Sequence, residues 1–100
     1  MKPRKVDPMT YLRRRKDELH SRYGIETIRV FGSRARGSHS QDSDLDILIT
    51  AQRPYQFDLI GLVALEQEIS ADLGIPVDLL LVEDLKPSIA ESAIADSIAL

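Results

Sequence analysis

Cysteine and tryptophan are absent from these 100 residues, histidine occurs twice, and only five residues are aromatic. Without cysteine there is no disulfide, no thiol nucleophile and no thiolate metal site. His20 and His39 alone are too few to build a zinc centre. No apolar run approaches the roughly 18 residues that a bilayer-crossing helix requires. The opening Met1-Lys2-Pro3-Arg4-Lys5 also lacks the apolar core of a signal peptide, so a cytoplasmic protein without membrane contact is expected.

What is present suits a globular chain, with 43% hydrophobic and 29% charged residues. The length suits one small core, so a single domain over residues 1–100 is expected. The net charge of −3 hides an asymmetry: residues 1–37 carry eleven Lys/Arg against four Asp/Glu, whereas residues 38–100 carry two against twelve. A ligand that joins phosphate to metal would bridge the two parts.

The stretch Gly32–Asp46 is the one that needs chemistry to explain it. A β-branched and aromatic run, Thr27–Phe31, reads as a strand. It delivers Gly32 and Ser33 into a short helix start that Gly37 ends. Gly32 allows close approach of a ligand to the backbone, and the amides of Ser33–Arg36 would face an anion with the helix dipole behind them. The Ser33 hydroxyl and the fixed charges of Arg34 and Arg36 suit phosphate oxygens.

Residues 44–49 alternate, with Leu45, Ile47 and Ile49 on one strand face and Asp44, Asp46 and Leu48 on the other. Two carboxylates about 6.5–7 Å apart along a strand repel unless a cation intervenes. A pair of hard divalent ions about 3.5–4 Å apart fits that gap, with magnesium or manganese the natural candidates. A third strand, Pro76–Val82, repeats the pattern, and Asp78 sits where an apolar residue would be expected. If this strand lies beside the second, Asp78 comes within about 5 Å of a directly opposite residue, so that Asp44, Asp46 and Asp78 surround the metals.

Three helices complete the reading. The first runs from Pro8 to about Tyr23 with Asp7 as its cap, and its block Arg13–Lys16 could meet phosphates or an acidic protein. Because no aromatic residue is interleaved for base stacking, that block reads as a solvated face and no direct nucleic-acid contact is expected. The second, about Phe57–Leu73, steps through Leu62, Leu65, Ile69 and Leu73 and reads as core packing. The third covers roughly Ser88–Ile98. His39 reads as an exposed residue of the polar loop. The whole is an α/β (α+β) chain, a small mixed β-sheet covered by helices.

Gly32-Ser33, ten intervening residues and Asp44-Leu45-Asp46 together resemble the signature of the polymerase-β-like nucleotidyltransferase superfamily. The spelling Gly32-Ser33-Arg34-Ala35-Arg36-Gly37 and the small size are most similar to the minimal nucleotidyltransferases, the antitoxin halves of HEPN–MNT toxin–antitoxin modules. The match covers roughly residues 25–85. The resemblance implies the polymerase-β-like core and a third metal-binding acid at Asp78. It also implies a stable complex with a cognate HEPN toxin, a helical ribonuclease silenced by modification of a tyrosine. The expected reaction is Mg²⁺-dependent transfer of AMP from ATP to that hydroxyl. An antitoxin that neutralises by contact alone, or transfer to a small molecule, are the alternatives.

Overall fold

The computed structural model describes residues 7–38 and 43–100, so His39 lies outside the described residues. Helix α1 (Pro8–Tyr23) begins where the Asp7 carboxylate accepts the Thr10 amide and ends at Gly24, whose φ of 69° only glycine adopts readily. Strand β1 (Ile25–Phe31), the single turn α2 (Ser33–Arg36) and β2 (Leu45–Ala51) follow. Helix α3 (Leu59–Leu73), capped by Asp58, then leads to β3 (Val77–Leu81). A 3-10 turn at Val82–Asp84, α4 (Pro87–Ala95) and the two-residue β4 (Ile98–Ala99) complete the chain.

The strands form one mixed sheet in the order β3-β2-β1-β4. β2 runs parallel to β3 and antiparallel to β1, and β4 is antiparallel to β1. The parallel pair requires a crossover, which α3 provides. Alternation then sorts the side chains. Ile28 and Val30, Leu45, Ile47 and Ile49, and Val77, Leu79 and Leu81 meet Leu12 and Leu19 of α1 and Leu65, Ile69 and Leu73 of α3 in one core. Burying each such aliphatic side chain contributes about 2 kcal/mol. The opposite face carries Thr27, Arg29 and Phe31, Asp46, Leu48 and Thr50, with Asp78 and Leu80. Leu48 is fully buried there, and the Arg29 guanidinium on the same face donates to the Ser97 hydroxyl at the end of α4.

Two sequence expectations change. The last helix stops at Ala95, where the Ser97 amide turns to the Ile94 carbonyl, three residues back in place of four, and the Ser97 hydroxyl donates to the same carbonyl. Ile98 and Ala99 instead pair with Val30 and Arg29, where β1 would otherwise present an open edge. The basic block of α1 is not uniformly a solvated face. Arg15 is half-buried and holds Glu18 and Glu68 at 2.6 and 2.7 Å, while Tyr11 donates one hydrogen bond to Asp72 and accepts another from Arg15. This cluster pins α1 to α3. Burial and the Asp72 carboxylate push the Tyr11 hydroxyl up to about 12. On the outer side of β3, the Leu79 amide donates to the Glu66 carboxylate at 2.8 Å.

Candidate active site

Phe31, the last residue of β1, lies opposite Asp46 of β2. The chain must leave the strand at that point, and it does so at Gly32 with φ 79° and ψ −153°. A Cβ on Gly32 would stand 2.6 Å from Asp46 Oδ2, so glycine is what allows the backbone to pass directly over the carboxylate. The α2 turn then winds from Ser33. Its Ala35 and Arg36 amides bond the Gly32 carbonyl at 3.1 and 3.2 Å, so two of the four amides expected to face an anion are committed within the turn.

Asp46 and Asp78 are register partners on adjacent parallel strands, each the second residue of its strand. The strand spacing therefore sets their backbones about 4.8 Å apart. Their side chains project from the same face, opposite the core. Asp44 lies just before β2 and is exposed, as is Asp78, while Asp46 is half-buried between them. The Asp46 carboxyl is raised above the ordinary carboxylate range, first by lost hydration and then by repulsion from Asp78 and, more weakly, Asp44; Arg36 opposes the shift.

Among the described residues no three acidic or histidine side chains close into a ready-made metal cage. The built feature is a carboxylate pair with Asp44 beside it. A pair nonetheless suits a hard cation such as Mg²⁺, which uses one or two carboxylates and fills its remaining positions with water and substrate phosphate. The oxygen-only donor set, the mutual repulsion and the space left by the missing Gly32 side chain all fit such an ion.

The two arginines of the motif diverge. Arg34 donates from Nε and Nη2 to the Ser43 carbonyl at 3.2 and 2.9 Å and lines a hollow with Asp7, Pro8, Met9 and Leu45. It thus braces the return of the loop into β2. Arg36 lies on the acid side, where it is paired with Asp96 at 2.7 Å. Sequence reasoning missed Asp96, and nothing local marks it, because its partner Arg36 is 60 residues away.

A family model described as a nucleotidyltransferase domain matches residues 12–100. The protein adenylyltransferase MntA of Thermococcus cleftensis is 38% identical over 81 residues, which is 81% of this chain and 80% of the relative. A solved structure assigned as a minimal nucleotidyltransferase superposes with a TM-score of 0.74 at 33% identity, covering 95% of this chain and 97% of that one. The fold is also shared, at 18% identity and a TM-score of 0.69, with the complex of the tri-AMPylated Shewanella oneidensis HEPN toxin and its MNT antitoxin; the match covers 93% of this chain and 71% of that one. No helix among the described residues is long and apolar enough to cross a membrane.

Proposed function

The chain belongs to the nucleotidyltransferase domain family, and from that premise we propose that it transfers AMP from ATP to a tyrosine hydroxyl of a cognate HEPN toxin, acting as an antitoxin. The observation that carries this reading is the Asp46–Asp78 pair on adjacent strands, overlain by a glycine turn that leaves the carboxylates room for a cation. The relative named a protein adenylyltransferase supports AMP as the transferred group, and the shared fold of an antitoxin seated on a tri-AMPylated toxin supports the acceptor.

In this reaction the acceptor oxygen attacks the α-phosphorus and forms the new P–O bond. The bond to the bridging oxygen of the β-phosphate breaks, pyrophosphate leaves, and the hydroxyl proton must be accepted. Asp44, Asp46 and Asp78 would hold Mg²⁺, two ions in full, with Mn²⁺ able to replace it. When bound, the metal supplies Lewis-acid neutralisation of phosphate charge and lowers the pKa of the attacking hydroxyl. The Gly32–Ser33 backbone, the Ser33 hydroxyl and Arg36 bind the β- and γ-phosphates. Arg34 contributes by keeping the loop closed at Ser43 and lends its charge to the same phosphates. We assign acceptance of the proton to Asp78, the more exposed of the pair.

Incubation with labelled ATP, Mg²⁺ and the product of the adjacent reading frame tests the reading. The product should gain about 329 Da per AMP. EDTA should abolish labelling, and Asp44→Ala with Asp46→Ala should reduce it by about 10³-fold or more. Neutralisation of the toxin by the double variant, with no label from the wild type, would establish a binding module instead.

A further inference from the structure

Arg36 is the arginine of the motif that lies on the acid side, and it is already engaged. Its Nη1 donates to Asp96 Oδ2 at 2.7 Å, with both side chains about half exposed. The two residues are 60 positions apart in sequence, so something must bring Asp96 there. The pairing of β4 with β1 does. Val30 faces Ile98, Arg29 faces Ala99, and the Leu100 amide donates to the Ile28 carbonyl at 3.0 Å. Carried two residues further, the same register sets Ser97 level with Phe31 and Asp96 level with Gly32, the glycine that passes over Asp46. The turn between α4 and β4 is fixed as well. Arg29 Nη1 donates to the Ser97 hydroxyl at 3.0 Å, that hydroxyl donates to the Ile94 carbonyl at 2.6 Å, and Lys16 Nζ donates to the Leu100 carbonyl at 2.8 Å. Asp96 is thus held at the rim of the site by a segment that carries no residue of the motif.

What the pair does follows from its surroundings. The Arg36 charge is felt at Asp46, against the opposing fields of Asp78 and Asp44. A guanidinium left unengaged beside three carboxylates would be drawn onto them, because each faces only its own kind. It would then occupy the oxygens that a metal ion needs. Asp96 offers the same guanidinium a carboxylate outside that group. An exposed ion pair of this sort is weak and screened by salt, so a triphosphate that arrives with its metal can draw Arg36 away from it.

We propose that Asp96 is a positioning residue for the transfer reaction: it parks the Arg36 guanidinium at the rim of the site, off Asp46 and Asp78, until nucleotide phosphate claims it. The carboxylates then stay open to a divalent cation. The inference deepens the nucleotidyl-transfer reading and rests on Asp46 and Asp78 as the metal-binding pair.

The test is binding of Mn²⁺ alone to the full chain at low ionic strength, read from the loss of the free-ion EPR signal, with the melting profile recorded beside it. Asp96→Asn, a surface change, should fold as the wild type does and bind Mn²⁺ about threefold more weakly, because Arg36 then moves onto the acids. Asp96→Glu keeps a carboxylate within reach of Arg36 and should bind as the wild type does. Arg36→Gln should tighten Mn²⁺ binding by a larger factor in the Asp96→Asn background than in the wild type, a coupling expected of residues in contact and not of distant charges. Equal factors in the two backgrounds overturn the proposal, since Asp96 would then act only through its own charge. So does an Asp96→Asn variant that binds Mn²⁺ as tightly as the wild type, whether or not it melts lower, because the pair would then be structural alone. A wild type that binds no Mn²⁺, with or without ATP, overturns the metal-site reading itself and is told apart from those results.

Discussion

Glu18, Glu68 and Asp72 gather around Arg15 between α1 and α3, whereas Asp44, Asp46 and Asp78 gather at the end of the sheet, where among the described residues Arg36 is the cation that acts on Asp46 and is itself turned to Asp96. Both are groups of three carboxylates on a small fold, but their electrostatics are opposite. Arg15, with Arg22, holds Glu18 below the ordinary carboxylate range, so the clamp between the helices is a finished ion-pair network. At the sheet end, Asp46 is pushed the other way by burial and by its own neighbours. A fold that satisfies one group internally and leaves the other short of positive charge marks the second as the place where something is to be bound.

Three variants sharpen or break that contrast. The largest effect is expected from Gly32→Ala, because the new methyl would meet Asp46 Oδ2 and the backbone at φ 79° is strained for any other residue. AMP transfer should fall by about 100-fold, as displacement of a reacting group by an ångström costs. Arg15→Met should come next and act on stability alone. It retains an apolar stem but leaves the carboxylates without their cation, at a cost of about 1.5 kcal/mol, or roughly 5–10 °C in Tm. Transfer per folded molecule should be unchanged in that variant. A loss of transfer equal to that of Gly32→Ala would show that the clamp is not merely structural.

The smallest effect on melting, and the one opposite in sign, belongs to Asp46→Asn. A carboxyl raised in the fold supports stability below its unfolded pKa and loses that support as pH rises through the folded value. At pH 7 without metal the ionised Asp46 is therefore a burden, and Asp46→Asn should raise Tm by a few degrees in EDTA. Mg²⁺ should raise the Tm of the wild type and have little effect on that of the variant. Equal melting of the two proteins in EDTA at pH 7, with no response to Mg²⁺, would contradict the contrast. Glu18, lowered in the fold, behaves conversely: its stabilisation is present above the unfolded pKa and is lost as pH falls through the folded one.

Much of the sheet and its acids could be read in advance, because the period-two alternation of Leu45–Ile49 and Val77–Leu81 and the glycine punctuation at Gly24, Gly32, Gly37 and Gly74 are local signals. The neighbourhood of Asp78 and Asp46 was legible only as a condition, that the third strand lie beside the second, and the parallel register of β2 and β3 meets it. What escaped were contacts with long sequence separation. The division of labour between Arg34 and Arg36 depends on Ser43 and Asp96. The turn of Ile98–Ala99 from helix to strand depends on an edge of β1 that no window around residue 98 contains. Likewise, the stepping of Leu62, Leu65, Ile69 and Leu73 identifies the inner face of α3, but not that Leu59 and Ile60 stay exposed.

The bond from the Leu79 amide to Glu66 has a consequence for how the protein behaves in a crowded solution. In the β2–β3 pairing the amides and carbonyls of Val77, Leu79 and Leu81 point outward, which makes β3 an edge on which an extended segment of another molecule could template itself. A carboxylate seated at the middle of that edge interrupts it and places a negative charge where the newcomer's carbonyl would have to lie. Fibrillar growth along this border is thus obstructed by a single side chain from the helix that also packs the interior.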